Sequence, residues 1–287
     1  MSKELFGIEI ESSDTCWDCC KNNLTEYGIR QYIKLHDDGS ITSDNESDTS
    51  EPCENCGCED FGLEAVFARP MSYIEILENG IIEKTCQAIR NADGHANDSC
   101  GLHIHYNVND WRLKDVRRLY INFLRVYPAI KDIFNISQRR IDNFCKETTK
   151  FRDIKNFCKF IKLDKRTKYK HGFDRYYAFN VEAMLKHGSI EYRMFNGSTD
   201  AIRIKTCLKI VQRLGMYTKK HEKIGRFSYV FDIESYASMF NKFCNLFDLS
   251  IEQRKNIYTP FKKRAGNKGM ESYKLTQFND GIVRVLP

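Results

Sequence analysis

Apolar and polar residues alternate along several short stretches of the chain. Successive strand side chains face opposite ways, so each stretch reads as a strand with one buried face. The pattern predicts strands over 5–11, 29–36, 62–68, 101–108, 176–181 and 189–195. Asp37-Asp38-Gly39-Ser40 closes the second as a turn, Pro70 ends the third, and Asn196-Gly197 ends the last. Helical spacing predicts helices over 72–92 (interrupted at Asn79-Gly80), 112–135, 147–161, 199–219, 233–247 and 250–265. The segment 42–60 is polar, acidic and cysteine-bearing, and reads as a loop or insert; 91–98 is a loop, and 162–172 is basic and breaks the pattern. No internal repeat or long linker is visible. The order of elements predicts an α+β fold, a sheet with helices packed on one side.

Three of these strands carry polar pairs at positions i and i+2, which share one face: Glu9 with Glu11, His103 with His105, and Glu191 with Arg193. The residues between them (Ile8 and Ile10, Leu102 and Ile104, Ile190 and Tyr192) are apolar and predict the opposite, buried face. A single such pair is ordinarily a solvated strand face. Three chemically complementary pairs change the reading. Carboxylates bind hard divalent cations, an imidazole completes a coordination shell, and an arginine fork matches phosphate oxygens.

Composition narrows the class. Hydrophobic residues make up 41% of the 287, which favours a folded chain over a disordered one. No apolar run approaches the roughly 20 residues of a membrane span. The amino-terminal residues lack the apolar core of a secretion signal, so a cytoplasmic address is expected. Lys and Arg exceed Asp and Glu by 45 to 39, a mild and scattered excess. It suits an anionic small molecule, and nucleic acid is not an expected partner.

Twelve cysteines are many for a chain with no secretion signal, and in a reducing compartment thiols or metal ligands are expected rather than disulfides. Cys86, Cys100, Cys145, Cys158, Cys207 and Cys244 are dispersed and read as small buried apolar residues. The other six form two clusters, Cys16-Trp-Asp-Cys19-Cys20 and Cys53-Glu-Asn-Cys56-Gly-Cys58. Two C-x-x-C knuckles predict a closed structural zinc site of Cys16, Cys19, Cys53 and Cys56, with Cys20 and Cys58 as alternative ligands.

The ordered motifs resemble the amidoligase family, relatives of glutamine synthetase and glutamate–cysteine ligase. Gly7-Ile-Glu9-Ile-Glu11 resembles the family's opening G-x-E-x-E strand, Asp38-Gly39-Ser40 its D-G-S turn, and Gly62-Leu-Glu64 its next G-x-E strand. Gly101-Leu-His103-Ile-His105 is similar to its G-L-H-x-H. Arg175-Tyr-Tyr-Ala-Phe-Asn180, followed by Gly188-Ser-Ile-Glu191-Tyr-Arg193, is similar to its R-x-x-x-x-N and G-T-I-E-x-R elements. The resemblance spans about residues 5–215. It departs after Glu64, where Ala-Val-Phe-Ala-Arg-Pro70 stands in place of the family's small Ser/Thr and Pro.

The resemblance implies a glutamine synthetase-like, mostly antiparallel sheet with helices on one face. Residues 1–220 would form the catalytic domain, with a zinc-binding insert at about 14–60, and 221–287 a helical extension. It implies an ATP-dependent carboxylate–amine ligase working through an acyl phosphate on small-molecule or peptide substrates. Glu9, Glu11, Glu64, His103 and Glu191 would hold magnesium between protein and nucleotide. His105, Arg175 and Arg193 would contact ATP phosphates or the acyl phosphate, and Asp38, Ser40 and Asn180 a substrate. Rival readings are a guanidino-kinase-like phosphotransferase on the same scaffold, a non-catalytic zinc-bearing nucleic-acid- or protein-binding module, and a metal hydrolase using His103 and His105. No H-E-x-x-H signature supports the last of these.

Overall fold

The computed structural model describes residues 4–43, 53, 56–57, 60–146, 175–225, 233–266, 274–276 and 284–286. Cys58, Cys158, the expected helix 147–161, the basic stretch 162–172 and most of the 42–60 insert lie outside the described residues. The chain divides into two compact units, residues 1–111 with 137–205, and 112–136 with 206–287.

The first unit is built on an antiparallel sheet of seven strands: β1 (Leu5–Cys16), β2 (Ile33–Asp37), β3 (Asp60–Phe67), β4 (Met71–Ser72), β5 (Gly101–Asn107), β6 (Phe179–Asn180) and β7 (Ser189–Asn196). Their order across the sheet is β2-β3-β1-β5-β7-β6, with β4 pairing the start of β1. Alternation explains the two faces. Phe6, Ile8, Ile10, Leu63, Ala65, Leu102, Ile104, Ile190 and Tyr192 are fully buried, and the residues between them form the polar face. Burial of the leucine, isoleucine and phenylalanine side chains among them stabilises by about 1.5–3 kcal/mol each. That is enough to fix the register, because a one-residue slip would put charged groups on the buried side.

Two bulges depart from simple alternation. β1 runs on to Cys16 rather than ending at residue 11, through an irregularity between Ser12 and Thr15 where Asp14 takes a positive φ of 51°. There Ser13 leaves β3 and exchanges backbone hydrogen bonds with His95. The second bulge lies between β5 and β7, where Arg193 and Met194 together face His103. It lets Glu191 and Arg193 share the polar face while Phe195, opposite Leu102, returns to the core.

Helices α1 (Trp17–Glu26), α2 (Tyr73–Glu78) and α3 (Ile81–Arg90) follow the strands, and α1 and α3 lie against β1. The Ser72 hydroxyl accepts from the Glu75 N–H at 3.2 Å, a capping arrangement that starts α2. Two short helices were not visible in the pattern, α5 (Gln138–Asn143) and α6 (Ala183–His187). The expected strand 176–181 shrinks to the two residues of β6.

The second unit contains α4 (Leu113–Ile133), the larger part of α7 (Ala201–Lys219), α8 (Ile233–Leu246), α9 (Ile251–Gly266) and the pair β8 (Lys274–Thr276) and β9 (Arg284–Leu286). Among the described residues no helix is long and apolar enough to cross a membrane.

Candidate functional site

Strand register brings the polar residues together in rows. Glu9 stands opposite His103, Glu11 opposite Glu64, and Glu191 opposite both His105 and Asn180. A cleft of about 380 Å³ lies over this face. It is lined by every carboxylate, imidazole and arginine expected there from the sequence: Glu9, Glu11, Glu64 and Glu191; His103 and His105; Arg175 and Arg193. Asp38, Ser40 and Asn180 also line it.

Glu9 is the hub. Its Oε2 lies 2.9 Å from His103 Nδ1 and its Oε1 3.0 Å from His105 Nε2. Burial alone would raise its pKa, but the hydrogen bonds and charges of the two histidines outweigh burial and hold its carboxyl well below the usual range. His103, 3% exposed, has carboxylates on both ring nitrogens: Glu11 Oε1 lies 3.4 Å from Nε2, and Glu191 Oε1 3.6 Å from Nδ1. His105 Nδ1 meets Ser189 Oγ at 3.0 Å. Burial lowers the pKa of His105, and the Glu9 hydrogen bond together with the charges of Glu9 and Glu191 more than reverses it.

The other carboxylates are positioned by the backbone and by neighbours. Glu11 accepts from the Gly101 N–H. Glu191 accepts from Arg193 Nη1 and, at 2.7 Å, from Asn180 Nδ2. Asn180 is therefore occupied in orienting Glu191. Glu64 is left among like charges. Its pKa is pushed up to about 8, by burial first and then by Glu9, Glu11 and Asp38.

The turn carrying Asp38 and Ser40 packs on β3. Asp38 N–H donates to the Gly62 carbonyl at 2.9 Å, and a Cβ on residue 62 would come within 2.5 Å of the Asp38 carbonyl oxygen, so glycine is required there. Asp38 Oδ1 accepts from the Ser40 N–H and hydroxyl at 2.9 and 2.7 Å, which fixes both side chains at the exposed rim. Arg175 is exposed, and its guanidinium lies 4.9 Å above the Tyr176 ring. Arg140, Lys186 and His187 also line the cleft and had not been expected. They come from α5 and α6, helices too short to show a period.

The donor set fits hard cations. Glu9, Glu64 and His103 can present ligand atoms within 4.8 Å of one another, as can Glu9, His105 and Glu191, so Glu9 could be shared by two ions. A cation would relieve the crowding that keeps Glu64 protonated.

A second group lies where β1 ends. Cys16, Cys19, Cys53 and Cys56 place their sulfurs within 4.8 Å of one another, with pair distances of 3.2 Å (Cys16–Cys56), 3.6 Å (Cys19–Cys53) and 3.8 Å (Cys19–Cys56). Zinc–sulfur bonds of about 2.3 Å in a tetrahedron require sulfurs about 3.8 Å apart. The Cys19 N–H points at Cys16 Sγ at 3.4 Å, tightening the first knuckle. Burial and the crowding of thiols raise the pKa of Cys19, and a bound cation would offset that. Cys20 is outside the group, buried in α1 with its thiol pushed up to about 12 chiefly by burial. Cys86, Cys100, Cys145, Cys207 and Cys244 are buried singly, as expected.

A family model described as "Putative amidoligase enzyme" matches residues 70–214. That half of the chain carries His103, His105, Arg175, Asn180, Glu191 and Arg193, whereas Glu9, Glu11, Asp38, Ser40 and Glu64 precede it. No curated protein matches the chain. With just over half of its length matched, the chain belongs to the amidoligase family of ligase-type enzymes.

Proposed function

We propose that this chain is an ATP-dependent carboxylate–amine ligase on a glutamine synthetase-like scaffold. The observation that carries this reading is the convergence of Glu9, Glu11, Glu64 and Glu191 with Arg175 and Arg193 in one cleft, where hard-cation ligands and phosphate-binding forks stand side by side. A carboxylate does not condense with an amine in water, because its oxygen leaves poorly. Transfer of the γ-phosphoryl of ATP to that oxygen gives an acyl phosphate and ADP. Attack by the amine then gives an amide and inorganic phosphate.

Phosphoryl transfer asks mainly for positioning and charge neutralisation. Glu9, Glu11, Glu64, His103 and Glu191 would hold magnesium, which when bound neutralises phosphate oxygens. Asn180 supports that role by fixing Glu191. Arg193, Arg175 and His105 would bind phosphate oxygens, and Asp38 and Ser40 at the rim would orient a small-molecule or peptide substrate. Zinc on the four cysteines would be structural, since a closed four-thiolate shell leaves no position for a substrate. The reaction suits a cytoplasmic protein supplied with ATP.

Purified protein incubated with ATP, magnesium and a panel of acids and amines tests the reading. Release of ADP together with an amide is the expected result. A stable phosphorylated product without amide would instead make it a phosphotransferase, and no ATP turnover with any pair would refute both.

A further inference from the structure

Arg140 is the bulkiest fully enclosed side chain among the described residues, 1% exposed. It rises from α5, whose first turn is capped by the Ser137 hydroxyl accepting from the Arg140 N–H at 3.3 Å. Its guanidinium lines the cleft beside His103. A Cβ on Gly101 would come within 2.5 Å of Arg140 Nη2 and 2.8 Å of His103 Nε2, so the missing side chain of Gly101 is what lets both groups reach the same place.

A guanidinium carries five N–H donors and is costly to bury unless they are used and its charge is compensated. Those of Arg140 are only partly used, and only by backbone carbonyls. Nη1 donates to the Cys100 carbonyl at 2.5 Å, with the Ser99 carbonyl at 3.5 Å, and Nη2 reaches the Arg193 carbonyl at a long 3.4 Å. Nε is buried without a partner among the described residues, and so is Nε of the neighbouring Arg193. No described carboxylate forms an ion pair with Arg140. Burial lowers its pKa; Cys145 and Glu11 offset part of this, and Arg193 adds to it. Bracing the ends of β5 and β7 through carbonyls uses the donors of Nη1 and Nη2 but leaves the full positive charge without an anionic partner among the described residues.

We propose that Arg140 is an oxyanion-binding residue of the cleft, forming with Arg193 a wall of two guanidinium groups that receives a phosphoryl or carboxylate group of a substrate. The planar fork and the second, adjacent cation suit a group with two or three oxygens. Only the naming of those groups rests on the ligase reading. The binding chemistry rests on the uncompensated charge of Arg140 in the cleft and on the partnerless Nε donors of the two arginines among the described residues.

Inorganic phosphate and acetate are titrated into the wild type, Arg140→Met and Arg140→Lys, with and without magnesium, and the unfolding midpoint of each protein is recorded. Arg140→Met is expected to unfold near the wild-type midpoint, because relief of the buried charge offsets the lost hydrogen bonds to the three carbonyls. It should bind the preferred anion at least tenfold more weakly. Arg140→Lys, with the charge but not the fork, should fall between. Preference for phosphate assigns the wall to a phosphoryl group, and preference for acetate to a carboxylate. If Arg140→Met does not fold, a Lys variant with a wild-type midpoint and a tenfold loss carries the inference alone. Unchanged affinity in the folded variants, or a wild type that binds neither anion, overturns it. A protein that binds an anion through Arg140 and still forms no amide refutes only the ligase reading.

Discussion

Glu9 on β1 and His103 on β5 stand directly opposite each other, with Glu9 Oε2 2.9 Å from His103 Nδ1. The second oxygen of the same carboxylate reaches His105, so one side chain ties together both residues of the His-x-His strand. A carboxylate held this way keeps its charge at any ordinary pH and is a fixed point around which cations can assemble.

Glu9→Gln removes that charge while keeping its shape. Nucleotide binding is expected to require a divalent metal and to weaken in Glu9→Gln and in Glu11→Gln, with both proteins still folded. The check is ADP release titrated with magnesium, alongside thermal unfolding. Full metal-dependent turnover in both variants would remove these residues from the metal site.

A pH dependence follows from Glu64 and His105. Glu64 has a folded pKa of about 8 against an ordinary 4.5, so the folded state holds a proton that the unfolded chain releases. Its contribution is complete at low pH and is lost as pH rises toward about 8. His105 is also raised, so its contribution declines as pH rises through its folded value. Glu9 is depressed, and its contribution stays constant above the unfolded value. The metal-free protein should therefore lose stability between about pH 4.5 and 8, and saturating magnesium should flatten the decline because a bound cation favours ionised ligands. Equal slopes in chelator and in magnesium would show that no cation sits among these carboxylates.

The polar face was legible because its strands alternate strictly: Ile8 and Ile10 around Glu9, Leu102 and Ile104 around His103. What lay beyond it was hidden for physical reasons. Ser12, Ser13, Asp14 and Thr15 break the alternation, so the extension of β1 that delivers Cys16 to the thiol cluster left no pattern, and a left-handed Asp14 does not announce itself. The bulge at Arg193 and Met194 is equally silent, since the run Ile-Glu-Tyr-Arg-Met-Phe reads as unbroken strand. Arg140 sits beside Arg139 in a six-residue helix, and nothing local distinguishes the buried arginine from its exposed neighbour.

Among the described cysteines the geometry groups Cys16, Cys19, Cys53 and Cys56 and leaves Cys20 out, while Cys58 lies outside the described residues. One zinc per chain is expected, held by Cys16, Cys19, Cys53 and Cys56. Cys20→Ser should keep full zinc content, whereas Cys53→Ser should lose zinc and destabilise the end of β1 more than it alters chemistry, because structural zinc is coupled to folding. Elemental analysis of protein purified under reducing conditions decides this. Absence of zinc from the wild type, or its loss in Cys20→Ser, would refute the assignment.

Arg193 separates a phosphoryl-transfer site from a mere binding module most sharply. Its Nη1 is committed to Glu191, its side chain is 14% exposed, and its Nε is buried without a partner among the described residues. Arg193→Lys keeps the charge and can keep the Glu191 pair, but it loses the planar fork that holds two phosphate oxygens at once. Nucleotide affinity should change little while turnover falls steeply. Losing one such stabiliser of developing charge costs on the order of 3 kcal/mol, about a hundredfold in rate. Were Arg193 only an ion-pair partner on a strand, the lysine variant would cost less than about 1 kcal/mol and turn over like the wild type. ADP release and amide formation, measured for both proteins with the same substrates, distinguish the two. A large fall in rate at constant affinity places the guanidinium at the transferring group, whereas matched rates confine it to holding Glu191.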